Sequence, residues 1–488
     1  MLARPILVTL TFLLLSLPAL GEQRALERLD GSPIEPAFID RTVGELMQAA
    51  HVTGIGIALF HAGRVCFLRT YGLRDTEKGL PLTPGSVITA ASLSKAAFAS
   101  LVMLLVQGGT IDLDRPIYQY LPKPLPQYPR YSDLAGDDRY LKLTLRMLLS
   151  HTSGFPNWRA FEQDRKLRIH FEPGTRYAYS GEGIDLAQLV VEAVTRRSIA
   201  DLMAEELFQP LHMTRTSMVW QARFESDFAN GYDEYGRSLG PERRATADAA
   251  GSMQTTLDDY AVFLSAIMRR QLLGKHAVGR MLSPQIRIHS LHEFPSLSNA
   301  TTAANDGIQL RYGLGWGLYS SPYGKAFFKE GHDEGWRHLA LCFIDGDGLL
   351  ILTNSSNGEG VFKPLVDAIL GATSFPFDWE GYTPYDQLPA LPKLKEHKAV
   401  SVSHQELARL VGRYALSTDV VMSVTIDGDH LFVQENDETK QEYQAQSTTD
   451  FYSTTSSDEC TFKLRDDGRA QALVMHVDGR DLEMRRLP

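Results

Sequence analysis

The most informative stretch of the chain runs from Thr89 to Gly109 and reads TAASLSKAAFASLVMLLVQGG. From Ser92 to Gln107 the apolar residues recur at the spacing of a helix, and two glycines follow as a stop signal. The residues before Ser92 are typical of a strand. The stretch therefore predicts a strand-like approach that gives way to a long helix at Ser92.

Ser92 and Lys95 are the residues of this stretch that could carry chemistry. Three positions apart on a helix, they share a face, so the hydroxyl and the amine meet. A serine is a weak nucleophile until a neighbouring group takes its proton, and a partly desolvated lysine with a lowered pKa can do so. The helix N-terminus adds free N–H groups that stabilise charge on a carbonyl oxygen under attack. So short a pattern also occurs by chance, so it needs support from elsewhere in the chain.

The composition excludes several classes of protein. The 488 residues predict two or three domains, and 43% hydrophobic with 22% charged residues is typical of globular rather than disordered chains. The formal net charge is -10, with 49 Lys and Arg against 59 Asp and Glu. Because no block of basic residues occurs, nothing predicts a nucleic-acid partner or an anionic membrane surface.

Residues 1–21 have the pattern of a secretory signal peptide. Arg4 precedes an apolar run from Ile6 to Leu17, Pro18 closes the run, and small residues precede Glu22. About twelve apolar residues are too few for the roughly 20 that span a bilayer core, which disfavours an uncleaved anchor. We expect cleavage before Glu22 and a periplasmic or secreted protein without stable membrane insertion.

Turn and proline patterns divide the remaining chain into three parts. Residues 22–374 mix helix and hairpin patterns, residues 375–399 are Pro-rich and aromatic like a semi-rigid linker, and residues 400–488 predict an antiparallel β domain. The predicted elements of the first part are a hairpin at 55–72, helices at Ile184–Val194 and Leu257–Arg270, and a hairpin of Leu339–Ile344 with Leu349–Thr353.

The cysteines and histidines do not suggest a metal centre. No Cys or His spacing in the sequence resembles a zinc site. Cys66 and Cys342 each lie in an apolar run, which predicts small buried side chains rather than reactive thiols. We expect neither a metal nor an organic cofactor.

Two further motifs follow the Ser-x-x-Lys pattern in chain order. Tyr179 lies in the stretch FEPGTRYAYSG at residues 171–181, ahead of a predicted helix, and Lys329, Glu330 and Gly331 precede a predicted strand. The order Ser-x-x-Lys, Tyr-Ser-Gly, Lys-x-Gly resembles the serine β-lactamase and penicillin-binding-protein superfamily. The long chain with a tyrosine element is similar to its class C β-lactamase and D-peptidase or esterase branch.

The resemblance covers roughly residues 35–370. It includes LLSHTSG at 148–154, IDLDRP at 111–116, AGSM at 250–253 and YGLGWG at 312–317. It implies an α/β (α+β) fold of the β-lactamase type, in which an antiparallel sheet is flanked by helices and accompanied by a helical region. The β-rich C-terminal part looks like the small all-β domain appended to many relatives.

The resemblance also implies a role for each motif residue. Ser92 would be the acylated nucleophile, with Lys95 as its proton acceptor or electrostatic support. Tyr179 would give a proton to the leaving group and then activate water, and Lys329 would keep it near its phenolate form. For His151 we expect a packing or loop-holding role rather than catalysis.

The positions implied for substrate binding combine matches and departures. The backbone N–H groups of Ser92 and of His332, which follows Gly331, would form the oxyanion hole. Gly181 stands where many relatives carry an Asn that grips the substrate's amide. Glu330 replaces a Thr or Ser that helps to bind the substrate's carboxylate. A cleft-facing Glu330 predicts a substrate without that carboxylate, whereas a solvent-facing one predicts nothing about it.

A second serine pattern, GRSLG at residues 236–240, fits the G-x-S-x-G of α/β-hydrolases. Neither a buried strand before Ser238 nor a helix after it is predicted, so this pattern indicates a surface turn.

The sequence thus predicts an exported serine hydrolase that forms an acyl-enzyme on Ser92 from a small ester or peptide substrate. One alternative is a β-lactamase that hydrolyses β-lactam antibiotics. The alternative from another class is a non-catalytic protein that binds cell-wall peptides or β-lactams in the same cleft. Turnover separates these possibilities, because one fold serves several chemistries.

Overall fold

The computed structural model describes residues 26–388, 391, 397–416, 420–436, 440–454, 458–477 and 480–488. The predicted signal peptide of residues 1–21 lies outside these residues, as does part of the predicted linker. Within the described parts of the chain, no helix combines the length and the apolar character needed to cross a membrane.

The α-helices are α1 (Pro36–Ala49), α2 (Leu93–Gln107), α3 (Leu145–Leu149), α4 (Gly181–Thr195), α5 (Ile199–Leu202), α6 (Leu257–Met268), α7 (Lys275–Met281), α8 (Phe362–Ile369), α9 (Phe377–Glu380) and α10 (His404–Ala408). The strands are β1 (Leu26–Glu27), β2 (Pro33–Ile34), β3 (Gly54–His61), β4 (Arg64–Asp75), β5 (Leu80–Pro81), β6 (Ile88–Thr89), β7 (Gly231–Tyr232), β8 (Ser238–Gly240), β9 (Gln254–Thr255), β10 (Ile286–Arg287), β11 (Arg311–Tyr312), β12 (Gly317–Ser321), β13 (Gly324–Asp333), β14 (Trp336–Phe343), β15 (Gly348–Thr353), β16 (Gly412–Ala415), β17 (Val421–Asp427), β18 (His430–Glu435), β19 (Gln441–Ala445), β20 (Asp450–Ser453), β21 (Glu459–Leu464), β22 (Ala470–Val477) and β23 (Arg480–Arg486).

An antiparallel sheet forms the centre of the larger domain. Among the described residues it has nine strands in the order β10-β11-β12-β13-β14-β15-β3-β4-β5. Strand β13 pairs with β14 as far as Asp333, but its pairing with β12 stops at Phe328. Residues 329–333 therefore extend along β14 beyond the last residue that pairs with β12.

The sheet separates two buried layers because strand side chains alternate between its faces. On β3, Ala58 and Phe60 pack in the same apolar cluster as α2 and α6, whereas Ile57 and Leu59 pack in the cluster that contains α1 and α8. Helix α2 is buried on most of its surface, so it runs through the interior of the first layer. The predicted antiparallel sheet flanked by helices is confirmed.

The predicted helices and hairpins agree with the structure, apart from small shifts at their ends. Helix α2 begins directly after Ser92, as predicted. Helix α4 starts at Gly181, three residues earlier than predicted, because the Ser180 hydroxyl accepts a hydrogen bond from the Gly183 N–H and caps the helix. Ser238 begins β8 in a two-stranded hairpin with β7, so no nucleophile elbow surrounds it.

The first part of the predicted linker at residues 375–399 differs from a linker in the structure. Phe375, Phe377, Trp379 and Tyr382 are buried in the cluster that contains α1 and α8, and α9 lies among them. The aromatic residues thus complete the core of the larger domain. The prolines that suggested a linker only break the segment into short turns.

The C-terminal domain is a closed antiparallel barrel. Among the described residues it has eight strands, β16 to β23, and β16 pairs with β23 to close it. Its own apolar core includes Tyr414, Phe451 and Phe462. The predicted small all-β domain is confirmed, and closure leaves the sheet without a free edge.

The prediction of a buried Cys66 is wrong, whereas Cys342 is buried as expected. On β4, Val65 pairs with Phe60 and Phe67 pairs with Leu59, so Cys66 is the extra residue of a β-bulge. A bulge displaces the side chain of the extra residue, which here leaves Cys66 exposed.

Candidate active site

Ser92 lies at the N-terminal end of α2, where a tight turn leads into the helix. Ala91, directly before it, has a left-handed φ of 48°, an uncommon conformation for a residue with a side chain. The Ser94 hydroxyl donates to the Ala91 carbonyl at 2.6 Å and accepts from the Met253 N–H at 3.1 Å. These bonds hold the turn that places the Ser92 hydroxyl, partly exposed, above the buried helix.

Lys95 meets Ser92 as the helical spacing predicts. Its Nζ lies 2.9 Å from the Ser92 Oγ and donates to the Ala250 carbonyl at 2.6 Å. Burial and the nearby charge of Lys329 lower the pKa of Lys95 to about 8. A lysine with that pKa is about one-tenth neutral at pH 7, and the neutral amine can accept the serine proton.

Tyr179 and Lys329 complete the group around the nucleophile. The Lys329 Nζ donates to the Tyr179 hydroxyl at 3.1 Å, and the same hydroxyl is in hydrogen-bond contact with Ser92. Both side chains are buried. The structure thus brings together four residues that are spread over about 240 positions of the sequence: Ser92, Lys95, Tyr179 and Lys329.

The protonation of Tyr179 differs from the expectation. The resemblance implies that Lys329 keeps this residue near its phenolate form. Instead, burial and the charge of Glu330 raise the pKa of Tyr179 well above its usual value. Glu330 contacts the Lys329 ammonium directly and so offsets the positive potential that Tyr179 would otherwise feel. The raised pKa favours the neutral phenol, which can donate a proton.

Glu330 does not point into solvent, so the solvent-facing interpretation of its position is wrong, and its carboxylate contacts the Lys329 ammonium beside Tyr179. Alternation along β13 puts it on the same face as Phe328, in the layer of α1 and α8. Its side chain is only 5% exposed. Both faces of β13 are covered at this point, so a carboxylate on either face is buried.

Glu330 belongs to a cluster of buried carboxyl groups. Oxygen atoms of Glu293, Glu330 and Glu380 lie within 4.8 Å of one another, and among the described residues this group could hold a metal ion. The Tyr177 hydroxyl donates to Glu293 at 2.6 Å. Burial and the charge of Glu330 raise the pKa of Glu293 to about 8, and burial and Glu293 raise that of Glu380 well above its usual range. A proton on Glu293 and on Glu380 neutralises each of them, which removes the charge repulsion that would oppose burying the three carboxyl groups together.

Gly331 brings β13 against the turn that carries Ser92. A Cβ atom at position 331 would lie 2.8 Å from the Ala90 carbonyl oxygen, so only glycine allows this approach. Among the residues that the structure describes, none accepts a hydrogen bond from the Ser92 N–H. The next residue, His332, has a half-exposed ring near Glu359. The oxyanion hole formed by the N–H groups of Ser92 and His332 remains a prediction that this approach favours.

His151 holds the loop that carries Tyr179. It is fully buried, its Nδ1 accepts a hydrogen bond from the Ser180 N–H at 3.2 Å, and its ring stacks on Tyr179 with centroids 4.4 Å apart. Burial and the charge of Lys329 lower the pKa of His151 well below its usual value, which keeps the ring neutral. This is the packing role expected from the sequence.

The space beside Gly181 is filled by Trp158. A Cβ atom at position 181 would lie 2.3 Å from the Cη2 atom of the indole. The Gly181 N–H donates to the Asn157 side-chain oxygen at 3.0 Å, which fixes the loop before Trp158 against the start of α4. The missing side chain at Gly181 is therefore a consequence of packing in this site.

Several residues of the site were not found from the sequence. They are Trp158, Glu293, Phe294 and Glu380, none of which belongs to a recognisable motif. Trp158 follows the LLSHTSG segment by four positions, and this was the only local signal. Each of the four reaches the site through tertiary packing, which no local spacing reveals.

Comparison with known proteins agrees with this geometry. A sequence profile described as Beta-lactamase matches residues 39–373, a span that contains all four residues around the Ser92 hydroxyl. The chain belongs to the Beta-lactamase family. As a member of this family it is a serine hydrolase. A second profile, described as a domain of unknown function (DUF3471), matches residues 396–486 and so corresponds to the barrel.

The relatives of this Beta-lactamase-family chain include a penicillin-binding protein. A penicillin-binding protein from Bacillus subtilis (strain 168) is 25% identical over 482 residues, which cover 91% of this chain and 97% of that protein. Protein flp from Staphylococcus aureus (strain N315) is 24% identical over 296 residues, or 57% of this chain and 55% of that protein.

Two solved structures share the fold. An octameric penicillin-binding protein homologue from Pyrococcus abyssi superposes with a TM-score of 0.56 at 18% identity, covering 93% of this chain and all of that one. The D-alanine carboxypeptidase AmpC from Burkholderia cenocepacia gives a TM-score of 0.55 at 20% identity, covering 69% of this chain and 98% of that one.

Proposed function

We propose that the protein is an exported hydrolase that forms an acyl-enzyme on Ser92 from an ester or peptide substrate. The observation that carries this proposal is the position of the Ser92 Oγ, 2.9 Å from the Lys95 Nζ and in contact with the Tyr179 hydroxyl. A nucleophile, a group that can accept its proton and a group that can donate one meet at a partly exposed atom. Acyl transfer is the reaction class that uses this combination.

Acylation begins at the pair of Ser92 and Lys95. The neutral Lys95 amine accepts the proton of the Ser92 hydroxyl as its oxygen attacks the substrate carbonyl. The new C–O bond places negative charge on the carbonyl oxygen, next to the N–H of Ser92 at the positive end of α2. Lys95 is the proton acceptor here, because its pKa is about 8 while the pKa of Tyr179 is raised.

Tyr179 acts in the collapse of the intermediate. Its phenol gives a proton to the leaving oxygen or nitrogen while the bond to the carbonyl carbon breaks. Lys329, 3.1 Å away, stabilises the phenolate formed in that step, and the proton held on Lys95 then restores the phenol. In deacylation water attacks the carbonyl carbon of the Ser92 ester and gives a proton to the neutral Lys95 amine. As the bond to the Ser92 oxygen breaks, Lys95 returns that proton to this oxygen, 2.9 Å away, and the acid product leaves.

Two positions support an ester or peptide over a β-lactam. Trp158 fills the place where an amide-binding side chain at position 181 would stand. Position 330 carries a buried carboxylate in place of a Thr or Ser hydroxyl, so it offers no donor to a substrate carboxylate. The similar D-alanine carboxypeptidase and penicillin-binding proteins support a peptide as the natural substrate class within this choice.

Turnover of a matched substrate panel tests this proposal. We expect the purified mature protein to hydrolyse a short nitrophenyl ester or a D-amino-acid nitroanilide, neither of which carries a carboxylate beside the scissile bond, faster than a chromogenic cephalosporin, and Ser92→Ala to abolish all three activities. Faster turnover of the cephalosporin would favour the β-lactamase alternative. Stoichiometric acylation without turnover would favour the binding-protein alternative.

The proposed location has its own test. The N-terminal pattern of residues 1–21 supports export into the periplasm or medium. We expect the protein recovered outside the cytoplasm to begin at Glu22 by mass spectrometry. Protein that keeps Met1 and stays in the cytoplasmic fraction would contradict export.

A further inference from the structure

Trp158 presents an aromatic surface beside the nucleophile. Its indole is partly exposed, and the Lys95 Nζ lies 5.9 Å from the ring centroid. The same ring abuts the backbone of Gly181. A large apolar side chain that keeps exposed area next to a reactive hydroxyl is a surface on which an apolar ligand group can be buried.

The loop behind the indole fixes its orientation. The Glu182 N–H donates to the Asn157 carbonyl at 3.0 Å, and the buried Arg159 guanidinium donates to both carboxylate oxygens of Glu182. These contacts bracket Trp158 on both sides in the sequence. The ring is therefore held in place before a ligand arrives, which reduces the entropy lost on binding.

A second aromatic ring packs against the catalytic tyrosine. Phe294 packs edge-on against Tyr179 with ring centroids 5.4 Å apart and is 46% exposed. Since the proposed mechanism has Tyr179 give its proton to the leaving group, it puts Phe294 on the leaving-group side. Among the described residues Trp158 makes no ring contact with Tyr179 and lies instead against Gly181, which makes it the candidate wall for the acyl group.

We infer that Trp158 forms the wall of an apolar acyl-binding subsite, and that the substrate carries an extended aliphatic or aromatic acyl group stacked on this indole. The inference rests on the proposed function, since it names the acyl half of the substrate of the same site. Contact with the indole takes the place of the hydrogen bonds that a polar side chain at position 181 would give. The acyl group requires no amide next to the scissile carbonyl.

Two series of esters test the assignment. In the first series the leaving group is always 4-nitrophenol and the acyl group is acetyl, butyryl, hexanoyl or phenylacetyl. In the second series the acyl group is always acetyl and the leaving group is phenol, 4-nitrophenol or naphthol. The variants are Trp158→Ala, Phe294→Ala and Phe161→Ala, and kcat/KM is measured for each. Phe161 is the matched control because it lies on the same loop but is 65% exposed.

We expect Trp158→Ala to lower the ratio of hexanoyl to acetyl turnover by about tenfold or more, a discrimination typical of an apolar pocket. Its ratios in the leaving-group series should stay within about twofold of wild type, and Phe161→Ala should change neither series. An equal loss on all acyl groups in Trp158→Ala, or a larger effect in the leaving-group series, would overturn the inference. Failure of the proposed function would look different, because Ser92→Ala would then keep its activity on every ester.

Discussion

The Nζ atom of Lys95 lies 2.9 Å from the Oγ atom of Ser92, on the first turn of a helix that is almost completely buried. The contact is local, since it follows from three positions of helical spacing. The pKa of the Lys95 amine depends on distant parts of the chain, because burial and the charge of Lys329 on β13 together lower it to about 8. The reactivity of Ser92 therefore depends on how the sheet packs against α2.

The pH dependence of acylation should report Lys95. Only the neutral amine accepts a proton, so kcat/KM for an activated ester should rise with pH and level off above a pKa of about 8. Lys95→Arg, whose guanidinium stays charged at these pH values, should lose about 10²- to 10⁴-fold in kcat/KM. Lys142 is an exposed lysine that pairs with Glu172, so Lys142→Arg is a surface control that should match wild type. A wild-type profile that is flat from pH 6.5 to about 9 would contradict this assignment.

Tyr179→Phe should separate good from poor leaving groups. A nitrophenolate leaves without protonation, whereas an alkoxide or amine needs a proton from the phenol. We expect a loss of about 10²- to 10⁴-fold on an alkyl ester or amide and a clearly smaller loss on the nitrophenyl ester of the same acid. Equal losses on both substrates would indicate that Tyr179 only positions Ser92. Circular dichroism checks that the variant is folded.

Gly181 and Trp158 should be energetically coupled. Asn at position 181 would place its Cβ 2.3 Å from the indole, so Gly181→Asn should cost about 1–3 kcal/mol of unfolding free energy. In the Trp158→Gly background the same change should cost less, with a coupling energy of about 0.5–3 kcal/mol in urea unfolding. Gly181→Asn combined with Phe161→Gly is the control pair and should be additive. If the free-energy changes of the Gly181 and Trp158 substitutions are also additive, the indole moves aside at no measurable cost and the predicted coupling is wrong.

The buried ion pair of Arg159 and Glu182 should make the site acid-sensitive. Burial alone would raise the pKa of Glu182, but the hydrogen bonds and charge of Arg159 hold it below its usual value. A depressed carboxyl pKa stabilises the fold above the unfolded pKa, and this contribution is lost as pH falls through the folded pKa. Glu182→Ala should cost about 3–5 kcal/mol at pH 7, because it removes the buried carboxylate that both Arg159 and Arg130 contact.

The control for this variant is Asp164→Asn, which breaks an exposed pair with Arg168 on the same loop. It should leave Tm unchanged within error. At pH 3.5 the gap in stability between wild type and Glu182→Ala should be smaller than at pH 7. A gap that stays constant from pH 7 to 3.5 would mean that the carboxylate does not contribute through its charge.

Sequence reasoning worked where the information was local or carried by several motifs in order. The spacing of Ser92 and Lys95 is a property of one helix, and the segments around Tyr179 and Lys329 matched a known family. Nothing local could show that Trp158 occupies the space beside Gly181, since the two are 23 positions apart and meet only through the loop that precedes α4.

Glu330 shows why a correct strand prediction did not place its side chain. Alternation along the strand puts the side chains of Lys329 and Glu330 on opposite faces. The sequence does not tell which layer covers the face of Glu330, or that Glu293 and Glu380 place their carboxyl groups next to it. The prediction of a linker directly after residue 374 was wrong for a similar reason. Its prolines are typical of a linker, yet Phe375 and Trp379 are core residues of the larger domain.

Intact-protein mass spectrometry after reaction with a fluorophosphonate tests the central claim most directly. The proposed mechanism predicts a single adduct on the wild-type protein, located on Ser92 by peptide mapping, and no adduct on Ser92→Ala. Ser238→Ala, which removes the other serine considered, should label like wild type. An adduct that persists in Ser92→Ala, or a wild-type protein that does not react, would contradict an acyl-enzyme on Ser92.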